Sequence, residues 1–199
     1  MLRVTLGAIL VLIGAIGTTA ADEPAKEKDA KKSEAQIKGY EQLSLKDLDG
    51  KVVTAKDLKG KIVVFEWIEP MCPTCQRHAK EGSINHLVAK YKDKKDVVIL
   101  GVCTSRNTDV EGMKAFAKER DLKYRILMDP TGAVGRMFGA QKTPHMYVVK
   151  DGAKLYEGAL DDDARGSKSE KERVNYISKA LDEILAGKKV STPSTKPYG

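Results

Sequence analysis

Two stretches of the chain, Lys61 to Ile68 and Asp96 to Cys103, are dominated by Val, Ile, Leu and aromatic residues without clean alternation. Apolar runs of that kind fit central strands covered on both faces. Between them Ile84, Leu87, Val88 and Tyr91 recur at helical spacing behind Pro73, a residue suited to a first helical turn because its missing N–H is not needed there. One helix starting at Pro73 is expected, and strand, helix and strand in succession predict a right-handed crossover. Upstream, Leu43 and Leu45, then Val52 and Val53, flank the turn dipeptide Asp49-Gly50 and predict a hairpin. Downstream, Thr108 followed by Glu111 reads as a capping box for a helix burying Val110, Met113, Phe116 and Ala117. Arg125 to Met128 is extended, and Asp129-Pro130 leads into a short helical turn through Met137 that stops at Gly139. His145 to Val149 and Ala153 to Leu160 flank Asp151-Gly152 as a second hairpin. A last helix is expected from about Ser169, capped with Glu172, through Val174, Ile177, Leu181, Ile184 and Leu185 to Gly187.

A parallel crossover combined with a terminal antiparallel hairpin makes an α/β protein with a central mixed sheet and helices on both faces. The sequence has 199 residues, 41% of them hydrophobic, enough for one core and short for two. Four segments follow. Residues 1–21 carry Arg3, an apolar stretch from Val4 to Ile16 and small residues up to Ala21, the layout of a cleaved signal peptide; an uncleaved membrane anchor is the alternative. Residues 22–38 are Ala, Lys, Glu and Asp with almost no apolar side chain, a flexible charged linker. Residues 39–187 form the folded domain, and 188–199 read as a C-terminal tail.

Export, to the periplasm or outside the cell, alters the reading of the three cysteines, because oxidising compartments let disulfides persist. Cys72 and Cys75 form a C-x-x-C pair and Cys103 stands alone in an apolar run, which argues against a structural disulfide framework. The net charge of +7 is spread through Lys-rich stretches such as Lys90 to Lys95. That suits a solvated surface, with weak attraction to an anionic envelope or acidic partner; nucleic acid is not an expected partner of an exported chain. The oligomeric state is not encoded in any pattern.

The C-x-x-C pair at a strand-to-helix junction carries the chemistry. Two cysteines at this spacing on a first turn can close a disulfide without unfolding anything. A thiolate at a helix start faces unsatisfied N–H groups and the positive end of the dipole, which lowers its pKa. Cys72, nearer solvent, is the candidate nucleophile, and Cys75, one turn in, the candidate resolving thiol. Pro73 and Thr74 lie between them. The competing chemistry is metal binding: Cys72, Cys75 and His78, with His145 as an alternative ligand, could hold copper. A zinc site lacks a second cysteine pair, and a covalent haem site is excluded because Gln76 follows Cys75.

Val63-Val64-Phe65-Glu66-Trp67 running into Cys72-Pro73-Thr74-Cys75, the later Thr143-Pro144, and Asp151-Gly152 followed by Tyr156-Glu157-Gly158 resemble the redoxin branch of the thioredoxin superfamily, which includes the alkyl hydroperoxide reductase/thiol-specific antioxidant proteins. The resemblance covers about Tyr40 to Gly187. It implies a thioredoxin-like three-layer fold with an N-terminal β-hairpin extension, and a redox-active Cys72-Cys75 disulfide in place of any cofactor. It also implies roles by position. Glu66, six residues before Cys72, corresponds to the buried acid that takes the proton of the second cysteine, its alternative being a pairing with a buried lysine. Pro144 corresponds to the cis proline that faces the disulfide, with Thr143 pairing its backbone with an extended substrate. Trp67 and Met71 flank the site as an apolar docking rim or as core, and His145 is either near the sulfurs or an ordinary strand residue. With Pro73 and Thr74, the residues Trp67, Thr143 and Pro144 make up the expected substrate-positioning set.

The peroxidatic pattern of peroxiredoxins, Pro-x-x-x-Thr/Ser-x-x-Cys, is not met: Phe65 stands where the proline belongs and Glu69 where the hydroxyl residue belongs. The expected activity is therefore exported thiol–disulfide exchange with protein or small-molecule thiols, including a recycling reductase. Thiol-dependent peroxidase is the second reading, and a copper-binding metallochaperone the third.

Overall fold

The computed structural model describes Met1 and residues 35–169 and 171–199, so the signal-peptide reading and most of the linker lie outside the described residues. In chain order the first elements are β1 (Ala35–Gln36), a 3-10 turn over Tyr40–Gln42, β2 (Ser44–Asp47), β3 (Val52–Thr54) and β4 (Ile62–Trp67). Then come α1 (Pro73–Glu81), α2 (Ser83–Tyr91), β5 (Val97–Cys103), α3 (Val110–Glu119) and β6 (Arg125–Met128). The chain continues through α4 (Ala133–Phe138), β7 (His145–Lys150), β8 (Ala153–Gly158) and α5 (Tyr176–Leu185).

All eight strands share one mixed sheet in the order β1-β8-β7-β4-β5-β6-β2-β3. β4, the apolar run without alternation, is buried at every residue because it has a neighbour on each side, parallel β5 and antiparallel β7. Its side chains alternate between two cores. Val63, Phe65 and Trp67 pack with Val134 and Phe138 of α4 and with Tyr40 and Leu43, whereas Ile62 and Val64 pack with Leu87 of α2 and Ile177 and Leu181 of α5. Helices thus cover both faces, as expected of the thioredoxin-like three-layer plan. The β2/β3 hairpin extends the sheet beyond β6, tethered there by Arg125, whose Nη2 and Nε donate to the buried Asp47 Oδ2 at 2.5 and 3.1 Å.

Four local expectations are corrected. The helix from Pro73 is broken into α1 and α2 at Gly82, which adopts φ 69° and caps the first helix, a left-handed conformation that glycine takes at least cost. At α3 the cap is Asp109, whose Oδ1 accepts from Gly112 N at 2.8 Å; Thr108 instead donates to Glu69 at 2.8 Å. Val110, expected in the core, is exposed, and Met113 and Phe116 carry the buried face. α5 starts at Tyr176 behind the cap Asn175, although Ser169 and Glu172 do bond to each other, because Asp161 first draws Asn175 into an isolated bridge.

Order also reaches further at both ends than periodicity suggested. Ile37 is buried and donates its N–H to Gly152 O at 2.9 Å, while β1 pairs with the first half of β8. The second half of the same edge is covered by the C-terminal segment, where Glu157 N donates to Pro193 O and Thr195 N to Glu157 O. Two short segments thereby cap an edge that would otherwise expose unpaired backbone. Gly158, at φ 140°, is where this segment crosses: a Cβ there would lie 2.3 Å from the Thr195 carbonyl oxygen. Gly158→Ala is expected to destabilise the protein by more than about 1 kcal/mol, because the native backbone is incompatible with a side chain. Urea unfolding measures this, and faster amide exchange at Thr195 locates it.

Candidate active site

The pair sits where the chain leaves β4 and enters α1. Cys72 is the N-cap in extended conformation (φ −74°, ψ 121°), Pro73 occupies the first helical position, and Cys75 follows inside the first turn. Cys72 is part-exposed and Cys75 is 1% exposed, and both are free thiols in this structure. Cys72 N donates to Glu69 O at 3.0 Å and its Sγ donates to the Thr143 carbonyl at 2.9 Å, across a Thr143–Pro144 peptide that is cis. The geometry therefore brings Cys72, Pro73, Thr74, Cys75, Thr143 and Pro144 together.

The two thiols have opposite electrostatics. Cys72 is lowered to about 5, chiefly because the Cys75 thiol donates to its sulfur, with the Thr143 side chain and the N–H groups of Cys75 and Thr74 adding to the effect against partial desolvation. The bond to the Thr143 carbonyl belongs to the thiol form and the donors to the thiolate. Cys75 is pushed far up, by that same hydrogen bond first, then by burial and the Glu66 charge. One sulfur is ionised at neutral pH and the other holds its proton.

Glu66 is buried near the C-terminal end of β4, and burial raises its carboxyl to about 7. Its partner is not a lysine. Tyr124 donates its hydroxyl to Glu66 Oε2 at 2.7 Å, which partly offsets the rise. Sequence reasoning missed Tyr124, and the signal that could have found it is Gly101. That residue lies opposite Glu66 in the parallel β4/β5 register, and a Cβ on it would come 3.3 Å from the Tyr124 ring. A glycine inside an apolar strand marks such close approach.

Other candidates fall outside this cluster. Trp67 is core, its ring packed against Phe138 and Tyr147 at 4.9 and 5.1 Å, with only Nε1 directed to Thr104 at 3.1 Å. Met71 is exposed at the rim. His145 is a buried strand residue, hydrogen-bonded to the Tyr147 hydroxyl at 3.1 Å and lowered to about 4 by burial. The copper ligand set is not assembled: both ring nitrogens of buried His78 are engaged, with Ser83 at 3.1 Å and Tyr198 at 3.3 Å, and among the described residues no three His, Cys, Asp or Glu side chains converge. Cys103 is buried, and burial raises its thiol to about 11.

The chain is similar to several known proteins. The thiol-disulfide oxidoreductase ResA of Bacillus thuringiensis subsp. konkukian is 26% identical over 172 residues, covering 86% of this chain and 91% of that protein. The chloroplastic peroxiredoxin Q of Gentiana triflora is 32% identical over 99 residues, 49% of this chain and 43% of that protein. A conserved protein of Geobacillus kaustophilus, known from its crystal structure, superposes with a TM-score of 0.66 at 25% identity, over 83% of this chain and 86% of that one. Residues 24–176, a span that includes the whole sheet together with Cys72 and Cys75, match the family model described as Redoxin, and the chain belongs to that family as a thiol–disulfide oxidoreductase.

Proposed function

We propose that Cys72 and Cys75 are the redox pair of an exported enzyme that exchanges disulfides with protein thiols or small-molecule thiols. The observation that carries this reading is the division of labour between the sulfurs, one accessible and held near 5, the other buried and held protonated above a raised carboxyl. The Cys72 thiolate attacks one sulfur of a substrate disulfide, forming a mixed disulfide and releasing the first substrate thiolate. Cys75 then loses its proton to Glu66 and attacks Cys72 Sγ. The mixed S–S bond breaks, the second substrate thiolate leaves, and two electrons have passed to the substrate. Run backwards, the same steps oxidise a dithiol. Thr143 and Pro144 position the substrate beside Cys72, and Pro73 and Thr74 form its floor between the sulfurs.

The exchange draws its electrons from the pair itself, so it calls for no cofactor, and its partners are thiol or disulfide proteins and a recycling reductase. Residues 1–21 supply the export signal and 22–38 a tether whose last residues, Ala35 to Ile37, already join the catalytic domain, which extends past residue 187 through the segment on the β8 edge. No helix among the described residues is long and apolar enough to cross a membrane. The peroxidase reading gains a partial relative in peroxiredoxin Q, yet Glu69, bonded to Thr108 and Met71 N, stands where a peroxidatic hydroxyl would polarise peroxide.

Iodoacetamide alkylation of the reduced protein tests the proposal. Its rate is expected to level off above an inflection near pH 5 and to vanish in Cys72→Ser together with reduction of a model disulfide. An inflection at the ordinary ~8.5 of a free thiol, or undiminished activity in that variant, would discard the mechanism. Rapid loss of thiols in micromolar peroxide would favour the peroxidase instead.

A further inference from the structure

A groove of about 410 Å³ opens directly beside the Cys72 site, within the size range of small-molecule pockets. Two of its wall residues are bonded to Cys72: Thr143, whose carbonyl accepts from Sγ at 2.9 Å, and Glu69, whose carbonyl accepts from Cys72 N at 3.0 Å. A molecule in the groove therefore touches the two loop residues that bond Cys72.

The floor is polar and internally hydrogen-bonded. The Thr104 hydroxyl accepts from Trp67 Nε1 at 3.1 Å and donates to buried Asp129 at 3.1 Å, and Asp129 also accepts from Gly135 N at 2.8 Å. The Asp129 carboxylate is thus covered by its own donors. Gly135 keeps the floor open, since a Cβ there would sit 3.3 Å from both Thr104 and Trp67 Nε1.

The mouth is cationic. Arg106, Arg136 and Lys142 line it, all exposed; among the described residues Arg106 and Arg136 form no ion pair, Arg136 leaning on the Thr131 carbonyl at 3.1 Å, while Lys142 reaches an oxygen of the terminal Gly199 at 3.5 Å. The single wall carboxylate, Glu69, is occupied by the Thr108 hydroxyl and Met71 N. Two arginines without an acidic partner, with Lys142 beside them and with Glu69 and Asp129 shielded by their own donors, draw negative ligands to this mouth.

We propose that this groove recognises the carboxylates of a small disulfide or thiol substrate, with Arg106, Arg136 and Lys142 as its specificity-determining residues. The inference rests on the exchange reading above and names the substrate class. The chemistry is unchanged: the Cys72 thiolate forms the mixed disulfide with one substrate sulfur, the other leaves as thiolate, and the groove holds the carboxylates while bonds are exchanged.

The test is stopped-flow reaction of the reduced full protein with two activated aromatic disulfides, the dianionic 5,5′-dithiobis(2-nitrobenzoate) and the neutral 4,4′-dithiodipyridine. The readout is the ratio of their second-order rate constants, with each disulfide's intrinsic reactivity normalised on dithiothreitol. In the native protein that ratio is expected to favour the dianion by about tenfold at low salt and to fall as ionic strength shortens the ~10 Å screening length. Arg106→Gln/Arg136→Gln/Lys142→Gln should bring the ratio to that of dithiothreitol, and Arg106→Lys/Arg136→Lys should restore it. A ratio already equal to that of dithiothreitol in the native protein, or unmoved by the triple substitution, overturns the proposal. Failure of both disulfides to react through Cys72 would instead overturn the exchange reading beneath it.

Discussion

Cys75→Ser is expected to trap the protein as a mixed disulfide on Cys72, with turnover of a protein or small disulfide substrate reduced by about a thousandfold. The step lost is intramolecular. A resolving thiol held one helical turn away acts at an effective concentration that free thiols in solution do not approach. A serine hydroxyl cannot expel the substrate sulfur, so the adduct accumulates and intact mass reads it directly. The same substitution weakens the largest influence holding Cys72 down, the donor from Cys75, so the alkylation inflection should move up from about 5 while remaining below that of an ordinary thiol because the N–H groups of Thr74 and Cys75 persist. Turnover near the native rate without an adduct would mean that Cys75 does not resolve, and the division of roles between the sulfurs would fall.

What the sequence disclosed about this site follows from which interactions are local. The apolar run of β4, Pro73 behind Cys72, and the spacing of the cysteines are written in neighbouring residues, and they alone place a reactive sulfur at a helix start. The break between α1 and α2 was hidden because Ile84, Leu87 and Tyr91 keep a helical period that Gly82 interrupts without altering composition. Tyr124 was hidden for a different reason. It reaches Glu66 across β5 over Gly101, a contact made by three segments that only the parallel register brings together. The C-terminal segment, polar and proline-bearing, reads as a tail, yet its backbone satisfies the β8 edge and Tyr198 bonds Asp161 and His78, drawing His78 into a buried hydrogen-bonded network. The cations around the groove were visible only as part of a general basic surface, since Arg106, Arg136 and Lys142 come from three separate loops or elements.

Glu66→Gln should separate function from stability at the same position. In the reduced protein the carboxyl is raised to about 7 from an ordinary 4.5, so the folded state binds a proton that the unfolded state has already released between those values. Its contribution is favourable below pH 4.5, is lost as pH rises through 7, and above 7 leaves an ionised group under desolvation, a cost of up to about 3 kcal/mol. Glutamine has no charge to desolvate and still offers a carbonyl to the Tyr124 hydroxyl, so the variant should be more stable than the native protein at pH 8 and equal to it at pH 4. Turnover should move the other way: the resolving step loses its proton acceptor and slows by about a hundredfold at pH 8, and the native fall in rate as pH drops through 7 disappears. Tyr124→Phe removes the bond that holds Glu66 down, so the native inflection should reappear displaced to higher pH, a shift that a purely structural role for Tyr124 would not produce. Denaturant unfolding at the two pH values and single-turnover kinetics across pH 5 to 9 measure both halves. An unchanged rate–pH profile in Glu66→Gln would leave Cys75 deprotonating directly to solvent, and a stability that does not rise at pH 8 would mean that the carboxylate is solvated where the structure buries it.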